Sequence, residues 1–228
     1  MSGLFVTSTG TGIGKTLVTT LLIGRLRAQG RVVAAVKPVI TGFDPADAAA
    51  SDTGLLLAAL GRAVTARNVA AISPWRLKAP LSPDMAASRE GATLSAATIA
   101  AFCRDADRPG QVTLAEGVGG AMVPLGGRET LLDAMAALGW PAVLVAGSYL
   151  GTLSHTLTAA RALAGAGVNL AGLVISESPE SPVPPAETAA TLSRYVTSVP
   201  VIVVPRLDPA APPARGLPDL TVLAGAAP

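Results

Sequence analysis

The chain of 228 residues contains one cysteine, one histidine and few aromatic side chains, with two Trp, two Tyr and three Phe. A single cysteine, Cys103, excludes a disulfide framework or a multi-cysteine metal site within one chain, and it fits a reducing, cytoplasmic environment. The arginines are scattered without interleaved aromatic residues, so the net charge of +2 does not indicate a nucleic-acid surface. We therefore expect no nucleic-acid partner.

Charged residues are also sparse, and residues 134–160 contain no Asp, Glu, Lys or Arg. Pro141, Gly147, Gly151 and His155 interrupt this stretch, so a strand, a turn and a helix explain it better than a membrane span. No basic segment with a cleavage site accompanies the first apolar run, so we expect neither a signal peptide nor a membrane partner.

Lysine is rare, with three Lys beside fourteen Arg, and Lys15 lies in the most informative stretch of the chain. An apolar run from Leu4 ends at Thr-Gly-Thr-Gly-Ile-Gly-Lys-Thr, residues 9–16, which predicts a strand, a phosphate-binding loop and a helix start. Glycine backbones and helix N–H groups suit a phosphate, the Lys15 ammonium adds charge, and the Thr16 hydroxyl can ligate Mg²⁺. Thr9 stands where the common phosphate-loop pattern has its first glycine.

Apolar runs and helical periodicities alternate along the chain, which predicts one α/β domain with a doubly wound, mainly parallel sheet and helices on both faces. Predicted strands cover residues 31–36, 111–115, 142–146, 170–175 and 199–204. Predicted helices cover residues 18–29, 95–104, 130–138 and 152–165, and further helices begin near residues 52, 83 and 185. Residues 41–50 are predicted to form a loop, and residues 62–90 are otherwise predicted to be irregular. The Pro- and Ala-rich residues 208–228 are predicted to be a tail, packed on the domain of residues 1–207 or partly mobile.

Scarce charged side chains stand where the predicted elements end or begin. Lys37 and Glu116 each follow a predicted strand, and Asp52 stands at a predicted helix N-terminus. Plainer interpretations are a surface lysine, a turn residue and a helix cap. Because the carboxyl ends of parallel strands meet at one edge of a sheet, we expect all three beside the phosphate loop, with Asp52, Glu116 and Thr16 holding Mg²⁺.

Together these motifs resemble the dethiobiotin synthetase family along nearly the whole chain. The family's phosphate loop, G-T-x-T-x-V-G-K-T, is matched by residues 8–16, and its motif K-P-V-x-[ST]-G by residues 37–42. Ser51-Asp52, Ser82-Pro83 and residues 116–120 and 150–155 follow in family order. The resemblance implies an ATP-dependent cyclo-ligase that carbamylates one amine of 7,8-diaminononanoate with CO2 and closes the cyclic urea of dethiobiotin, releasing ADP and phosphate.

The resemblance also implies roles for single residues. Lys37, Lys15 and Thr11 would act in catalysis, and Thr16, Asp52 and Glu116 would hold Mg²⁺. The implied nucleotide-binding residues are Gly12, Ile13, Gly14, Lys15, Thr16, Leu17, Asp52, Glu116, Gly117, Val118, Gly119, Ser176, Glu177, Pro205, Arg206 and Leu207. The implied substrate-binding residues are Thr11, Lys37, Thr41, Ser82, Gly151, Thr152, Leu153 and Ser154. The last four would come from the neighbouring chain of a homodimer with shared active sites.

The chain departs from the family pattern at several positions. Ser8 replaces the first glycine of the loop, Gly12 stands where some members have glutamate, and Ser154 replaces an asparagine. Ser176-Glu177 replaces the Asn-Asp pair that reads adenine. We therefore expect ATP as the nucleotide, with other nucleoside triphosphates left open.

Two other functions are compatible with a phosphate loop. A phosphate-loop switch or partitioning ATPase usually has an extra lysine early in the loop, and residues 8–13 contain none. A cobyrinate-type amidotransferase needs a nucleophilic cysteine with a histidine. Cys103 lies on a predicted helix far in sequence from His155, which we interpret as structural, so this pair does not meet the requirement.

Overall fold

The computed structural model describes residues 3–207 and 217–225. Its strands are β1 (Gly3–Ser8), β2 (Val32–Val36), β3 (Val39–Thr41), β4 (Trp75–Leu77), β5 (Gln111–Glu116), β6 (Pro124–Gly126), β7 (Glu129–Thr130), β8 (Ala142–Ala146), β9 (Leu170–Ser176) and β10 (Val201–Val204). Its helices are α1 (Lys15–Ala28), α2 (Asp52–Ala59), α3 (Ala66–Ile72), α4 (Pro83–Arg89), α5 (Ala96–Ala106), α6 (Leu131–Leu138), α7 (Thr152–Gly165) and α8 (Pro185–Ser193).

The central sheet of the described region is parallel, with the strand order β10, β9, β8, β1, β5, β2. Every residue of β1 and β8 is buried, as expected for central strands of a parallel sheet covered by helices. The predicted doubly wound α/β fold is therefore confirmed. Because β1 lies between β5 and β8, the loop after β1 opens at the middle of the sheet's carboxyl edge.

Strand β2 ends less close to the phosphate loop than the sequence predicts. Within the described residues it is one of the two edge strands of the central sheet, and β5 separates it from β1. Lys37, directly after β2, reaches the site across the end of β5, where its ammonium contacts Glu116 and Gly117.

Two stretches are more regular than the sequence predicts. Residues 41–50 contain the end of β3 and a 3₁₀ turn, Pro45–Asp47, and residues 62–90 contain α3 and β4 as well as the expected α4. The prediction that residues 62–73 are irregular is wrong because Thr65 caps α3 by accepting a hydrogen bond from the Asn68 amide. Val69 and Ile72 then bury the apolar side of this helix.

Local capping explains where several other helices begin. Ser51 and Ser95 accept hydrogen bonds from the amides of Gly54 and Thr98 at the starts of α2 and α5. Thr130 and Asp133 form a capping box at the start of α6. The strand of residues 142–146 and the helix of residues 152–165 are confirmed with the predicted bounds.

The predicted tail lies partly outside the described residues, which exclude 208–216 and 226–228. Residues 217–225 pack on the domain, with a 3₁₀ turn, Thr221–Ala224, next to α1 and β9. Leu220 and Leu223 are buried, and Arg25 donates a 3.0 Å hydrogen bond to the Leu217 carbonyl. No helix in the described ranges is long and apolar enough to cross a membrane.

Candidate active site

The loop between β1 and α1 has the backbone that phosphate binding requires. Gly12 and Gly14 adopt left-handed φ angles of 72° and 101°, and α1 begins without a side-chain cap on its N–H groups. A Cβ atom at Gly14 would lie 2.4 Å from the Ser176 Oγ. The left-handed backbone and the close approach of Ser176 together favour glycine at position 14, and the uncapped N–H groups remain available to an anion.

Lys15 is buried and makes its hydrogen bonds inside the protein. Its Nζ donates to Gly119 O at 2.8 Å, to Ser8 Oγ at 3.0 Å and to Gly10 O at 3.3 Å. Burial, together with the positive charge of Lys37, lowers the pKa of Lys15 to about 8. The sequence did not indicate that Ser8 contacts this ammonium, because nothing in a serine at the end of a strand predicts a lysine partner.

Thr16 and the two predicted carboxylates lie together at the carboxyl edge of the sheet. Thr16 Oγ1 is 2.8 Å from both Asp52 Oδ1 and Glu116 Oε1. Lys37 Nζ lies 2.8 Å from Glu116 Oε1 and 2.9 Å from Asp52 Oδ2, and it donates to Gly117 O at 2.9 Å. Lys37 thus occupies the space between the two carboxylates in this arrangement.

Burial and ion pairing shift the pKa values of Lys37 and Asp52 in opposite directions. Burial by itself disfavours the charged form of Lys37. The negative charges of Glu116 and Asp52 outweigh this effect and raise the pKa of Lys37. Burial also opposes ionisation of Asp52, yet the Lys37 charge and hydrogen bonds from Lys37 and Thr16 hold the pKa of this carboxyl below its usual value. Lys37 and Asp52 are therefore both charged at neutral pH.

The donor set fits Mg²⁺ by its chemistry. Hydroxyl and carboxylate oxygens are hard ligands of the kind that Mg²⁺ prefers. Glu116 is fully buried, and its Oε2 has no hydrogen-bond partner among the described residues, so one carboxylate oxygen remains for a cation. No group of three or more His, Cys, Asp or Glu side chains that could hold a metal forms in the described part of the chain. A metal here would therefore need phosphate or water oxygens as further ligands.

A cavity of about 340 Å³ lies in front of this cluster. It brings together Thr11 from the loop, Lys37, and Thr41 at the end of β3. Its full lining is Thr11, Gly12, Ile13, Gly14, Lys15, Thr16, Lys37, Ile40, Thr41, Asp52, Val118 and Gly119. Ser82 does not line it, and its hydroxyl donates a hydrogen bond to Asp84 at the start of α4.

A second cavity, of about 560 Å³, opens on the other side of Gly12 to Gly14. It is lined by Gly12, Ile13, Gly14, Leu17, Ser176, Glu177, Ser178, Pro179, Arg206 and Leu207. Glu177 Oε2 accepts a 2.9 Å hydrogen bond from the Arg206 amide, and Ser176 is turned towards Gly14. Pro205 is exposed and is not part of the lining.

A third cavity, of about 470 Å³, was not predicted from the sequence. It lies behind the phosphate loop and is lined by Ser8, Thr9, Gly10, Thr11, Gly120, Ala121, Met122, Val123, His155, Thr158, Ala159 and Ala162. Thr11 lines both this cavity and the one that contains Lys37. The only sequence signal was the run of small residues after Glu116, which leaves space beside the loop.

The first turn of α7 lies apart from the Lys37 cavity. Gly151 has a left-handed φ of 96°, and the buried Thr152 hydroxyl donates to Gly147 O at 2.7 Å. Leu150 is 86% exposed, Leu153 is 39% exposed, and Ser154 is exposed. Within one chain, therefore, these predicted substrate-binding residues do not meet the rest of the site.

Known proteins resemble this chain over most of its length. A family model described as an AAA domain matches residues 2–214. An ATP-dependent dethiobiotin synthetase of Methylobacterium nodulans is 50% identical over 202 residues, which cover 86% of this chain and 89% of that protein. One from a Caulobacter species is 49% identical over 208 residues, covering 90% of this chain and 89% of that protein.

A solved structure has a similar fold at low identity. A ParA family ATPase from Chlorobium tepidum aligns with a TM-score of 0.53 and 12% identity, covering 91% of this chain and 86% of that one. At this identity the similarity concerns the phosphate-loop α/β fold alone.

Proposed function

Because the chain belongs to the dethiobiotin synthetase family, we propose that the sheet edge around Lys15, Lys37, Asp52 and Glu116 is its ligase active site. The reaction is the ATP-dependent carboxylation and ring closure of 7,8-diaminononanoate with CO2 in biotin biosynthesis. The observation that supports this proposal is the convergence of two buried ammonium groups, Lys15 and Lys37, and the Asp52 carboxylate on one cavity next to the phosphate loop. The buried Glu116 carboxylate contacts Lys37 directly beneath it.

The reaction needs positive charge where negative charge moves. A carbamate formed from one amine and CO2 attacks the γ-phosphate of ATP, and the second amine then displaces phosphate to close the ring. Lys15 would contact the phosphates, and Lys37 would face the carbamate and the transferring phosphoryl group. Thr11 and Thr41 would hold the diamine end by hydrogen bonds. Mg²⁺, bound by Thr16, Asp52 and Glu116, would neutralise phosphate charge.

The other two cavities have chemistry that fits the rest of the reactants. The 560 Å³ cavity beside Gly14 would hold the nucleobase, with Glu177 and the Arg206 backbone at its polar side. The mainly apolar 470 Å³ cavity continues from Thr11 and would hold the aliphatic chain of the diamine. Ser82 and Pro205 remain family-derived proposals without a contact that supports them.

We also propose a homodimer in which α7 of the neighbouring chain completes the site. The start of α7 has free N–H groups suited to the substrate carboxylate, and the adjacent Leu150 is exposed. A two-fold pair is the commonest closed assembly. A cytoplasmic location fits the free, buried thiol of Cys103, and the lack of a nucleic-acid partner stays a prediction.

The switch and amidotransferase alternatives are less favoured. The relatives that match most of this chain are synthetases, and burial raises the pKa of the Cys103 thiol to about 12, so it is a poor nucleophile.

The decisive experiment is fixation of labelled bicarbonate into dethiobiotin with the diamine as acceptor. We expect incorporation that requires ATP and Mg²⁺, and the same assay with CTP and GTP measures nucleotide preference. Asp52→Asn and Glu116→Gln should each raise the Mg²⁺ concentration needed for half-maximal rate. No diamine-dependent fixation would contradict the function, and unchanged Mg²⁺ dependence in both variants would contradict the metal assignment.

A further inference from the structure

The ammonium of Lys15 has all of its donors engaged by acceptors within the protein. A lysine ammonium offers three N–H donors, and Ser8 Oγ, Gly10 O and Gly119 O lie within 3.3 Å of the nitrogen. The side chain is only 7% exposed. A nucleotide phosphate that binds Lys15 must therefore replace at least one of these acceptors.

Ser8 differs from the other two acceptors because it acts through its side chain. Backbone carbonyls are present whatever residues stand at positions 10 and 119, whereas glycine or alanine at position 8 would supply no acceptor. The buried Ser8 hydroxyl lies 2.6 Å from Gly10 O, to which it donates. This donation orients the Ser8 oxygen so that it can accept from Lys15.

We propose that Ser8 is a positioning residue that holds Lys15 in a resting position and thereby lowers the affinity of the loop for nucleotide. Binding exchanges the hydrogen bond between Lys15 and Ser8 for one between Lys15 and a phosphate, so the net gain is smaller than it would be without Ser8. The proposal rests on the nucleotide site proposed above, and it concerns affinity rather than the chemical step.

The test compares Mg-ADP binding by calorimetry in wild type, Ser8→Ala and Ser8→Gly. Because a hydrogen bond to a charged group is lost only from the free state, we expect the Kd to fall about tenfold in both variants. The KM for ATP should fall in parallel. Thr7→Val is the matched control, since it removes a buried hydroxyl of β1 that has no partner among the described residues. Its Kd should equal that of wild type.

A double-mutant cycle separates this role from a general effect on the loop. In a Lys15→Met background, Ser8→Ala should leave the Kd unchanged, because the ammonium through which Ser8 is proposed to lower the affinity is absent. Thermal melts verify folding, and Ser8→Cys, which has a weaker acceptor, serves as a second variant if alanine unfolds the protein.

If wild type binds Mg-ADP, two results would overturn the proposal. One is an unchanged or raised Kd in the Ser8 variants, and the other is the same tenfold gain in the Lys15→Met background. Absence of Mg-ADP binding by the wild type would instead overturn the proposed function, and this inference with it.

Discussion

At the scale of single residues, Lys37 has two roles, as the counter-ion of two carboxylates and as the proposed cation that faces the carbamate. It is the counter-ion of the buried Glu116, at 2.8 Å, and of Asp52, at 2.9 Å. The same two carboxylates are the proposed Mg²⁺ ligands. A divalent cation would compete with the ammonium for their oxygens, and an ammonium released from them would be available to the carbamate.

Replacing Lys37 by alanine should therefore affect rate and stability separately. We expect kcat to fall by about 100- to 1000-fold, because a preorganised cation facing developing charge is lost, while nucleotide still binds. Without metal, the uncompensated Glu116 should lower the free energy of unfolding by about 3–5 kcal/mol, and Mg²⁺ should restore part of it. Steady-state kinetics and melts with and without Mg²⁺ measure both. Lys78→Ala, at an exposed lysine, is the control, and near-normal turnover of Lys37→Ala would exclude Lys37 from the mechanism.

Lys15 should make nucleotide binding depend on pH. Its pKa in the free protein is lowered to about 8, and phosphate binding needs the protonated form. As pH rises through about 8 the ammonium is lost, so the Kd for Mg-ADP should rise by up to tenfold per pH unit until the nucleotide-bound pKa is reached. Calorimetry between pH 7 and 10 measures this. Lys15→Arg should have a flat profile, because a guanidinium stays protonated, and a flat wild-type profile would contradict the prediction.

At the scale of elements, the 3₁₀ turn Thr221–Ala224 extends the core beyond β10. The side chain of Leu223 lies over Gly172 of β9, where an added Cβ would be 2.2 Å from its Cδ2. The glycine thus makes room for a leucine from the end of the chain. Part of the predicted tail is consequently a structural element of the domain.

Truncating this leucine measures how much the turn contributes. Leu223 is 2% exposed, so Leu223→Ala should lower the free energy of unfolding by about 2–5 kcal/mol through lost burial and a cavity. Val222 is 59% exposed in the same turn, and Val222→Ala should change stability by less than about 0.5 kcal/mol. Urea denaturation compares the two variants. Equal stability would mean that the turn is not part of the cooperative core.

At the scale of the whole molecule, the site of one chain is incomplete if the first turn of α7 from a second chain must complete it. We expect wild type to sediment as a dimer and Leu150→Asp to shift it towards monomer, because a charge replaces an apolar side chain at the proposed contact. The control is Tyr195→Asp, at another exposed position, which should leave the mass unchanged. Ser154→Asp should raise the KM for the diamine by repelling its carboxylate and leave nucleotide binding intact. A fully active monomer would contradict the shared site.

Much of this molecule follows from its sequence because the signals are local. Glycines before Lys15 predict the phosphate loop, since their backbone freedom depends on no distant contact. Apolar runs predict the strands of a parallel sheet, and serine or threonine caps predict where helices begin. The positions of Lys37, Asp52 and Glu116 at predicted strand ends and a helix start indicate a site, and the family resemblance implies their roles.

Only the tertiary structure decided which of these groups meet. Lys37 and Glu116 are 79 residues apart and form an ion pair because β2 pairs with β5, with Val36 opposite Ala115 at the strand ends. The contact of Lys15 with Ser8 also depends on the direction of the Lys15 side chain, which turns back towards the end of β1. The spacing of the two residues in the sequence does not determine this direction. Strand order and side-chain direction arise from burying the whole core at once, so no local stretch of sequence determines them.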